Sequence, residues 1–253
     1  MIFKDHIKIQ NGVFIASEPN NSFSDAYIKV RQKEGRIYTK EELTRLPDIS
    51  PEHPHSGEWK LRQKSAKRFS NYLKKLNRNN YLLEIGCGNG WFTNLCARNV
   101  KAAVGIDVNL QELEQAANAF QSANVSFAYW DVFSENPFKE KFDIIVLNAV
   151  IQYFPDIKKL LTALNKYLNV GGEIHIIDSP FYNRDKIEAA SMRTKAYYEK
   201  IGVPEMSDHY FHHSAHQIKN FEVLYQPSQN KLKRLIKGKD MPFGWYKKTA
   251  IVG

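Results

Sequence analysis

LLEIGCGNG, residues 82–90, is an apolar strand that runs into three glycines spaced one residue apart. Glycine adopts positive φ without a Cβ clash, so this spacing predicts a tight turn that brings the backbone close to a ligand. A helix is expected to begin directly afterwards, and the free N–H groups of its first turn would face the same point. The stretch therefore predicts a ligand-binding strand–turn–helix unit.

The turn differs from other glycine-rich nucleotide loops. Trp91 stands where the dinucleotide fingerprint has its third glycine. Glu84, two positions before the first glycine, would repel a pyrophosphate but can order the turn and lie near an ammonium-bearing ligand. The loop also lacks the Lys-Ser/Thr pair of a P-loop. These differences favour a ligand that carries a cationic group.

Strands and helices alternate around this unit, as in a doubly wound parallel sheet. The predicted strands are 81–86, 102–107, 125–130, 142–148, 173–178, 221–226 and 244–253, and the predicted helices are 59–77, 91–98, 110–121, 156–168 and 184–201. Gly171-Gly172 are expected to end the helical region and start the fifth strand. The sequence thus predicts an α/β fold with a mostly parallel, seven-stranded sheet.

Residues 1–58 lack this alternation and are predicted to be an N-terminal β-hairpin and cap extension of a domain at 59–253. Asn11-Gly12 tolerates the positive φ of a tight turn and predicts a hairpin over 6–17. The Pro/His-rich segment 46–57 is expected to be a loop. The part around His53, His55 and Trp59 is a candidate cap over the ligand.

Two aspartates follow successive predicted strands. Asp107 ends the second strand, where an acid can accept hydrogen bonds from both hydroxyls of a ribose. Asp131 follows the third strand, where it can accept from an adenine amino group. Each alone is equally typical of a helix or strand cap, but the pair after one glycine turn favours a nucleoside site.

From about residue 60 onward the chain resembles the class I S-adenosylmethionine-dependent methyltransferases, which have a Rossmann-like fold. LLEIGCGNG resembles that family's first motif. Four later stretches of this chain resemble the family's later motifs, in the same order: GIDVN (105–109), WDVF (130–133), FDIIVLNAVIQYFPD (142–156) and LNKYLNVGGEIHIID (164–178). The resemblance implies methyl transfer from S-adenosylmethionine, with S-adenosylhomocysteine as the product.

The resemblance also implies the cofactor site. The glycine turn would line the methionine and ribose parts, Asp107 would bind the ribose, and Val108 would pack on the adenine. Arg62 is either a partner of the cofactor carboxylate or a surface charge. The full set of expected cofactor residues is Glu84, Gly86, Cys87, Gly88, Gly90, Asp107, Val108, Asp131, Val132, Asn148 and Arg62.

The acceptor side is less specific. Ligands of such sheets bind at the carboxyl ends of the strands, so the residues after the fourth and fifth strands are candidates: Gln152, Tyr153, Phe154, Asp178, Ser179, Phe181 and Tyr182. The segment DHYFHHSAH (208–216) holds four histidines and is an acceptor site, a metal site if His212 and His216 share a helical face, or a polar loop. The candidate catalytic residues are Tyr153, Tyr182, His209, His212 and His213.

Composition sets the remaining limits. Two cysteines are too few for a disulfide framework or a thiolate metal site, so no metal is predicted. No apolar run is long enough to span a membrane and the first residues show no secretory signal, so a cytoplasmic protein is expected. The net charge of +9 and the basic amphipathic segment 231–239 leave RNA as a possible partner.

Three functions therefore remain. Methyl transfer to a small molecule, at oxygen, nitrogen or carbon, is the main hypothesis. Asn148 is followed by Ala-Val-Ile, whereas enzymes that methylate adenine in DNA have a Pro-Pro-aromatic run at this point. This difference argues against a nucleic acid as the methyl acceptor. RNA methylation and a non-catalytic module that binds the cofactor or a nucleoside are the alternatives.

Overall fold

The computed structural model describes residues 2–19, 21–76, 79–228 and 240–250, and within these ranges nine strands form one sheet. They are β1 (Lys8–Gln10), β2 (Val13–Ile15), β3 (Tyr81–Ile85), β4 (Ala102–Asp107), β5 (Val125–Tyr129), β6 (Phe142–Asn148), β7 (Leu168–Ile177), β8 (Glu222–Tyr225) and β9 (Trp245–Thr249). Their order is β1-β2-β5-β4-β3-β6-β7-β9-β8. The seven predicted strands and the mostly parallel sheet are confirmed, and the basic segment 231–239 lies outside the described residues.

The helices are α1 (Asn21–Lys33), α2 (Lys40–Arg45), α3 (Ser56–Leu73), α4 (Trp91–Ala97), α5 (Leu110–Ala119), α6 (Ile157–Asn165) and α7 (Ile187–Lys200). The first two lie in the N-terminal extension, where only a hairpin and loops were expected. Helix α2 begins with a capping box, because the Thr39 hydroxyl accepts from the Glu42 N–H and the Glu42 carboxylate accepts from the Thr39 N–H.

The N-terminal hairpin is part of the main sheet. Asn11 and Gly12 have φ of 49° and 81°, which closes the antiparallel pair β1–β2. Strand β2 then pairs in parallel with β5, with Phe14 opposite Ala128. The hairpin therefore adds two strands beside β5, the strand whose end was predicted to meet the adenine.

Two apolar clusters cover the two faces of the sheet. Helices α3, α4 and α5 cover one face through Phe69, Phe92 and Leu113, which are fully buried. Helix α6 covers the other face, where Leu160 and Leu164 pack against β3, β6 and β7. Each of these buried side chains contributes about 1.5–3 kcal/mol. The two clusters pack on both faces of the sheet and so fix the relative positions of the carboxyl ends of its strands.

A third apolar cluster joins two segments that are distant in sequence. Ala26 and Val30 of α1 pack on Tyr198 of α7 and on Val203 and Met206, which lie in and beside a short 3-10 helix at 204–209. We call α1 together with residues 198–210 the roof. The N-terminal extension is thus packed against the segment after the fifth strand of the predicted fold.

The position of Gly171-Gly172 differs from the prediction. Strand β7 begins at Leu168 and runs through both glycines, where a turn was expected. Leu168 pairs with Phe142, and the register shifts before Glu173 pairs with Ile144. The positive φ of Gly171, 75°, accommodates this irregularity within the strand.

A buried polar network joins α3, β7 and β9. Trp245 Nε1 donates to His175 Nδ1 at 3.0 Å, so the ring proton lies on Nε2, which donates to Glu173 Oε2 at 3.1 Å. The Tyr72 hydroxyl also donates to this oxygen, at 2.6 Å. Burial raises the pKa of Glu173, but the bonds from His175 and Tyr72 outweigh it and bring the pKa to about 2.

This network is expected to make the fold acid-sensitive. Glu173 has a lower pKa in the folded chain than in the unfolded chain, so its ionised carboxylate stabilises the folded state above pH 4.5. This contribution to the free energy of unfolding is lost as the pH falls toward 2. Burial lowers the pKa of His175, which adds a loss below pH 6.5. In urea titrations between pH 7 and 3, Glu173→Gln should remove on the order of 2 kcal/mol of this pH dependence. Glu199→Gln, at an exposed carboxylate of α7 outside this network, is the control, and an unchanged acid limb in Glu173→Gln would contradict the assignment.

Candidate active site

The glycine turn lies at the carboxyl end of β3. Gly86 and Gly88 have φ of 67° and 50°. A Cβ added to Gly86 would lie 2.1 Å from Val150 Cγ2, and one on Gly88 would lie 3.0 Å from Glu112 Oε2. The turn is therefore tightly enclosed by its neighbours, and glycine is required at Gly86 by both conformation and space.

Asp107, at the end of β4, fixes this turn. Its Oδ2 accepts from the Gly88 N–H at 2.8 Å, while Oδ1 accepts from the N–H groups of Val108 and Asn109 at 2.7 and 2.9 Å. Burial raises the pKa of Asp107, and these three bonds oppose the rise. A carboxylate has about four lone-pair sites, so it keeps capacity to accept from a ligand.

Glu84 lies beneath the turn and is 2% exposed. Its Oε2 accepts from Thr93 Oγ1 at 2.5 Å. Burial raises the pKa of Glu84 to about 8, with Thr93 opposing and Asp107 adding to the rise. A cation nearby would stabilise the ionised carboxylate, in agreement with the expected ammonium-bearing ligand.

The hairpin forms a wall at the β5 end of the site. The Asp131 N–H donates to Ser17 Oγ at 3.0 Å, which ties the segment after β2 to the segment after β5. The exposed Asp131 carboxylate accepts from the Phe133 N–H at 2.9 Å. Residues 15–19 line the same cavity as Asp131 and Val132.

One cavity, of about 1590 Å³, connects these features. It runs from Ser17 along the glycine turn to the ends of β6 and β7 and the aromatic part of the roof. Ligand sites commonly measure roughly 300–1,000 Å³, so this one has room for two molecules. The predicted cofactor residues that line it are Glu84, Gly86, Cys87, Gly88, Asp107, Val108, Asp131, Val132, Asn148 and Arg62. Gly90 does not line it; it begins α4 and packs on Phe127.

The candidate catalytic residues divide into two groups. Tyr153 and His209 line the cavity. His212 bonds to the Thr194 hydroxyl at 2.9 Å, His213 is buried with its Nε2 3.2 Å from the Ile151 carbonyl oxygen, and the Tyr182 ring lies against His212. These last three side chains are not among the lining residues, so the structure does not bring them together with the other two.

Among the charged lining residues that the sequence analysis missed are Arg31 and Glu112. Arg31 of α1 places Nε 3.7 Å from Glu112 Oε1 on α5, and its guanidinium lies 5.6 Å from the Tyr27 ring centroid. Burial raises the pKa of Glu112 to about 7, although Arg31 opposes the rise. The pair links the roof to the helix that follows Asp107.

The roof presents aromatic rings to the cavity. Phe23 and Tyr27 of α1 lie 5.5 and 5.7 Å, centroid to centroid, from Tyr153, which follows β6. Tyr153 in turn lies 5.9 Å from Tyr210, and Phe23 lies 5.5 Å from His209. Such edge-to-face pairs hold the rings in fixed orientations, and they form an apolar wall opposite the glycine turn.

The ends of β6 and β7 supply polar groups under these rings. Ala149 and Asp178 follow the two strands and have φ of 54° and 53°, conformations that cost energy for residues with a Cβ. Asp178 Oδ1 accepts from Ser65 Oγ of α3 at 2.5 Å. Asn148 Oδ1 and Gln152 Oε1 are buried without a hydrogen-bond partner. Unpaired buried oxygens in a cavity wall indicate a site for a hydrogen-bond donor.

The described part of the chain contains no cluster of three or more His, Cys, Asp or Glu side chains arranged to hold a metal ion. It also contains no helix that is long and apolar enough to cross a membrane.

The sequence and the fold both match known methyltransferases. The sequence profile described as "Methyltransferase domain" matches residues 58–222. The malonyl-[acyl-carrier protein] O-methyltransferase of Halalkalibacterium halodurans is 30% identical over 131 residues, which is 47% of this chain and 48% of that protein. The matched part thus spans about half the length of this curated relative.

Solved structures support the fold alone, because their sequence identities are low. YcgJ of Bacillus subtilis aligns with a TM-score of 0.58 at 13% identity, over 76% of this chain and 100% of its own. Magnesium protoporphyrin IX methyltransferase of Synechocystis PCC 6803, solved with bound S-adenosylhomocysteine, aligns with a TM-score of 0.53 at 11% identity, over 90% and 94% of the two chains.

Proposed function

This chain belongs to the methyltransferase-domain family of S-adenosylmethionine-dependent enzymes, and we propose that it transfers the cofactor's methyl group to a small-molecule acceptor. The observation that carries the acceptor class is the roofed cavity, which extends beyond the glycine turn to an aromatic wall. The Halalkalibacterium halodurans relative is named for O-methylation of malonyl-[acyl-carrier protein].

The residues of the glycine turn fit the cofactor. The close approach of backbone at Gly86, the buried acid Glu84 and the spare acceptor capacity of Asp107 suit a ligand with an ammonium group and a ribose. Asp107 would hold the ribose hydroxyls, while Val108 and the segment at Asp131 would hold the adenine. When bound, the cofactor supplies an electrophilic methyl group on a sulfonium.

The chain's own residues would then orient the acceptor and exclude water. Phe23, Tyr27 and Tyr153 present rings to the cavity where an acceptor would meet the methyl group. Holding two reactants in line can lower the barrier to transfer by roughly 7–11 kcal/mol. The roof packs through buried apolar side chains, and a space covered on this side suits a small acceptor better than an RNA duplex.

The test is transfer from methyl-labelled S-adenosylmethionine in a cell extract, followed by separation into filtrate, RNA and protein. We expect the label in the filtrate, and a reaction without the chain is the control. Label confined to RNA would instead support RNA methylation. Binding of S-adenosylhomocysteine with no label in any fraction would support a non-catalytic cofactor-binding module.

A further inference from the structure

Two amide oxygens in the cavity wall have no partner. Asn148 and Gln152 are 8% and 7% exposed, and their Oδ1 and Oε1 atoms make no hydrogen bond. The orientation of the Gln152 amide is fixed, because its Nε2 donates to the Ala149 carbonyl at 2.6 Å. Its free atom is therefore an acceptor, and an unpaired buried acceptor costs about 1–3 kcal/mol unless a ligand supplies the donor.

A carboxylate lies beside these oxygens. Asp178 is 7% exposed and lines the cavity, and its hydrogen-bond partner is the neutral Ser65 hydroxyl. Within the described ranges, no lysine, arginine or histidine forms an ion pair with it. Arg62 and Arg68 act on it only from a distance, and they pair with Glu58 and Asp240, each at 2.9 Å. A buried anion of this kind favours a cationic partner.

The arginines of the cavity wall are already matched by acids. Arg31 faces Glu112 at 3.7 Å, and Arg36 and Arg62 both pair with Glu58, at 2.5 and 2.9 Å. An anionic acceptor would have to compete with these carboxylates. Asp178, in contrast, is a lining acid that forms no ion pair with any described residue.

The three acceptors lie at the ends of neighbouring strands. Asn148 ends β6, opposite Ile177 of β7, and the Ala149 N–H donates to the Ile177 carbonyl at 3.0 Å. Asp178 is the next residue after Ile177, and Gln152 follows β6 within one turn. A primary ammonium carries three N–H donors, whereas a hydroxyl carries one and would leave two acceptors unpaired.

We propose that the methyl acceptor is an amine, bound as its ammonium by Asn148, Gln152 and Asp178 beneath the rings of Tyr27 and Tyr153. This inference rests on the proposed function and narrows it from any small molecule to a nitrogen nucleophile. The π faces of the two tyrosines favour a cation as well.

The cofactor's own ammonium is expected at Glu84, on β3. Strand β6 separates β3 from β7, so the backbones at Glu84 and Asp178 are two strand spacings apart, about 10 Å. The proposal assigns a separate ammonium to each of these two acids.

The geometry gives Asp178 a second role in the transfer. The ammonium has no lone pair until one N–H bond breaks, and the Asp178 carboxylate takes that proton. The freed lone pair points at Asp178, so the amine turns before this lone pair forms the N–C bond to the methyl carbon. The C–S bond breaks at the same time and its electron pair remains on sulfur. The products are a methylammonium and S-adenosylhomocysteine, and Asp178 returns its proton to water.

The first test blocks amines in the extract. A filtrate is treated with N-hydroxysuccinimidyl acetate, which acylates amines, and the quenched sample is compared with an untreated one in the labelled-cofactor assay. We expect incorporation to fall at least about tenfold, because an acylated amine has neither an ammonium to bind nor a nucleophilic lone pair. Equal incorporation in both samples would overturn the amine assignment. No incorporation in the untreated filtrate would instead overturn the proposed function.

The second test assigns the ammonium that Asp178 binds. Asp178→Asn should reduce transfer by about 100-fold, as for loss of a general base, and should leave the S-adenosylhomocysteine Kd unchanged. Asp143→Asn is the matched control, because Asp143 accepts from the Tyr81 N–H and the Asn169 amide, both at 2.8 Å, and is not a lining residue. A weaker Kd for S-adenosylhomocysteine together with an unchanged Kd for 5′-methylthioadenosine, which lacks the amino-acid part, would assign Asp178 to the cofactor and overturn the proposal.

Discussion

Replacing Gly86 with alanine is expected to abolish binding of S-adenosylmethionine. The new Cβ would stand 2.1 Å from Val150 Cγ2 and 2.9 Å from Val150 Cβ. Val150 is stiff because it branches at Cβ, so the turn itself must move. Alanine at a φ of 67° adds a backbone cost, and together these effects destabilise the native turn by on the order of 2–4 kcal/mol.

Gly35→Ala is the matched control for this variant. Gly35 also has a positive φ, 64°, but nothing lies within 4 Å of a Cβ placed there. It should therefore lose only about 1 kcal/mol of unfolding free energy and bind the cofactor normally. Calorimetric titration at a temperature where both variants are folded measures the difference. Wild-type affinity in folded Gly86→Ala would show that the turn does not contact the cofactor.

Asp107→Ala is expected to weaken cofactor binding by about 10- to 100-fold, as for loss of one hydrogen bond to a charged acceptor. Two physical reasons support this expectation. Asp107 lines the cavity, and its carboxylate also accepts from the Gly88 N–H and so holds the glycine turn. The variant leaves three backbone N–H groups without their acceptor, so its unfolding free energy must be measured as well. Asp107→Asn keeps the side-chain volume and tests the charge separately.

The control for Asp107 is an aspartate with a comparable structural duty outside the cavity. Asp143→Ala removes the bonds to the Tyr81 N–H and to Asn169 and should lower stability without changing the Kd. Equal loss of affinity in Asp143→Ala and Asp107→Ala would mean that general destabilisation, and not the ribose contact, explains the result.

The glycine turn and its strands were predictable because their signals are local. An apolar strand, three glycines and the alternation of strands and helices can be read within short windows. Strand β4 matches its predicted range, 102–107, and β5 and β6 match to within one residue. Ten of the eleven predicted cofactor residues line one cavity because parallel strands bring their carboxyl ends to the same edge. Their contacts with the cofactor remain predictions.

The roof was missed although part of its signal is local. Phe23, Tyr27 and Val30 follow the i, i+4, i+7 spacing of a helix, and Thr39 with Glu42 is a capping-box pair. The partners of α1, in contrast, lie more than 160 residues away at Tyr198, Val203 and Met206. Such pairings depend on the whole fold, and no short window of sequence contains them.

The polar groups at the ends of β6 and β7 show a different limit. Asn148, Gln152 and Asp178 were candidates by position, but the sequence could not show which of their atoms lack partners. Ser65, which holds Asp178, lies 113 residues earlier in the chain. Side-chain pairing across such a separation is set by packing of α3 on the sheet, which only the structure provides.

Calorimetric titration of the wild-type chain with S-adenosylhomocysteine and S-adenosylmethionine tests the cofactor site most directly. We expect saturable binding of both at one site per chain, with the same site lost in Asp107→Ala. No heat of binding for either ligand, from protein shown to be folded by thermal unfolding, would contradict the assignment of the glycine turn as a methyltransferase cofactor site.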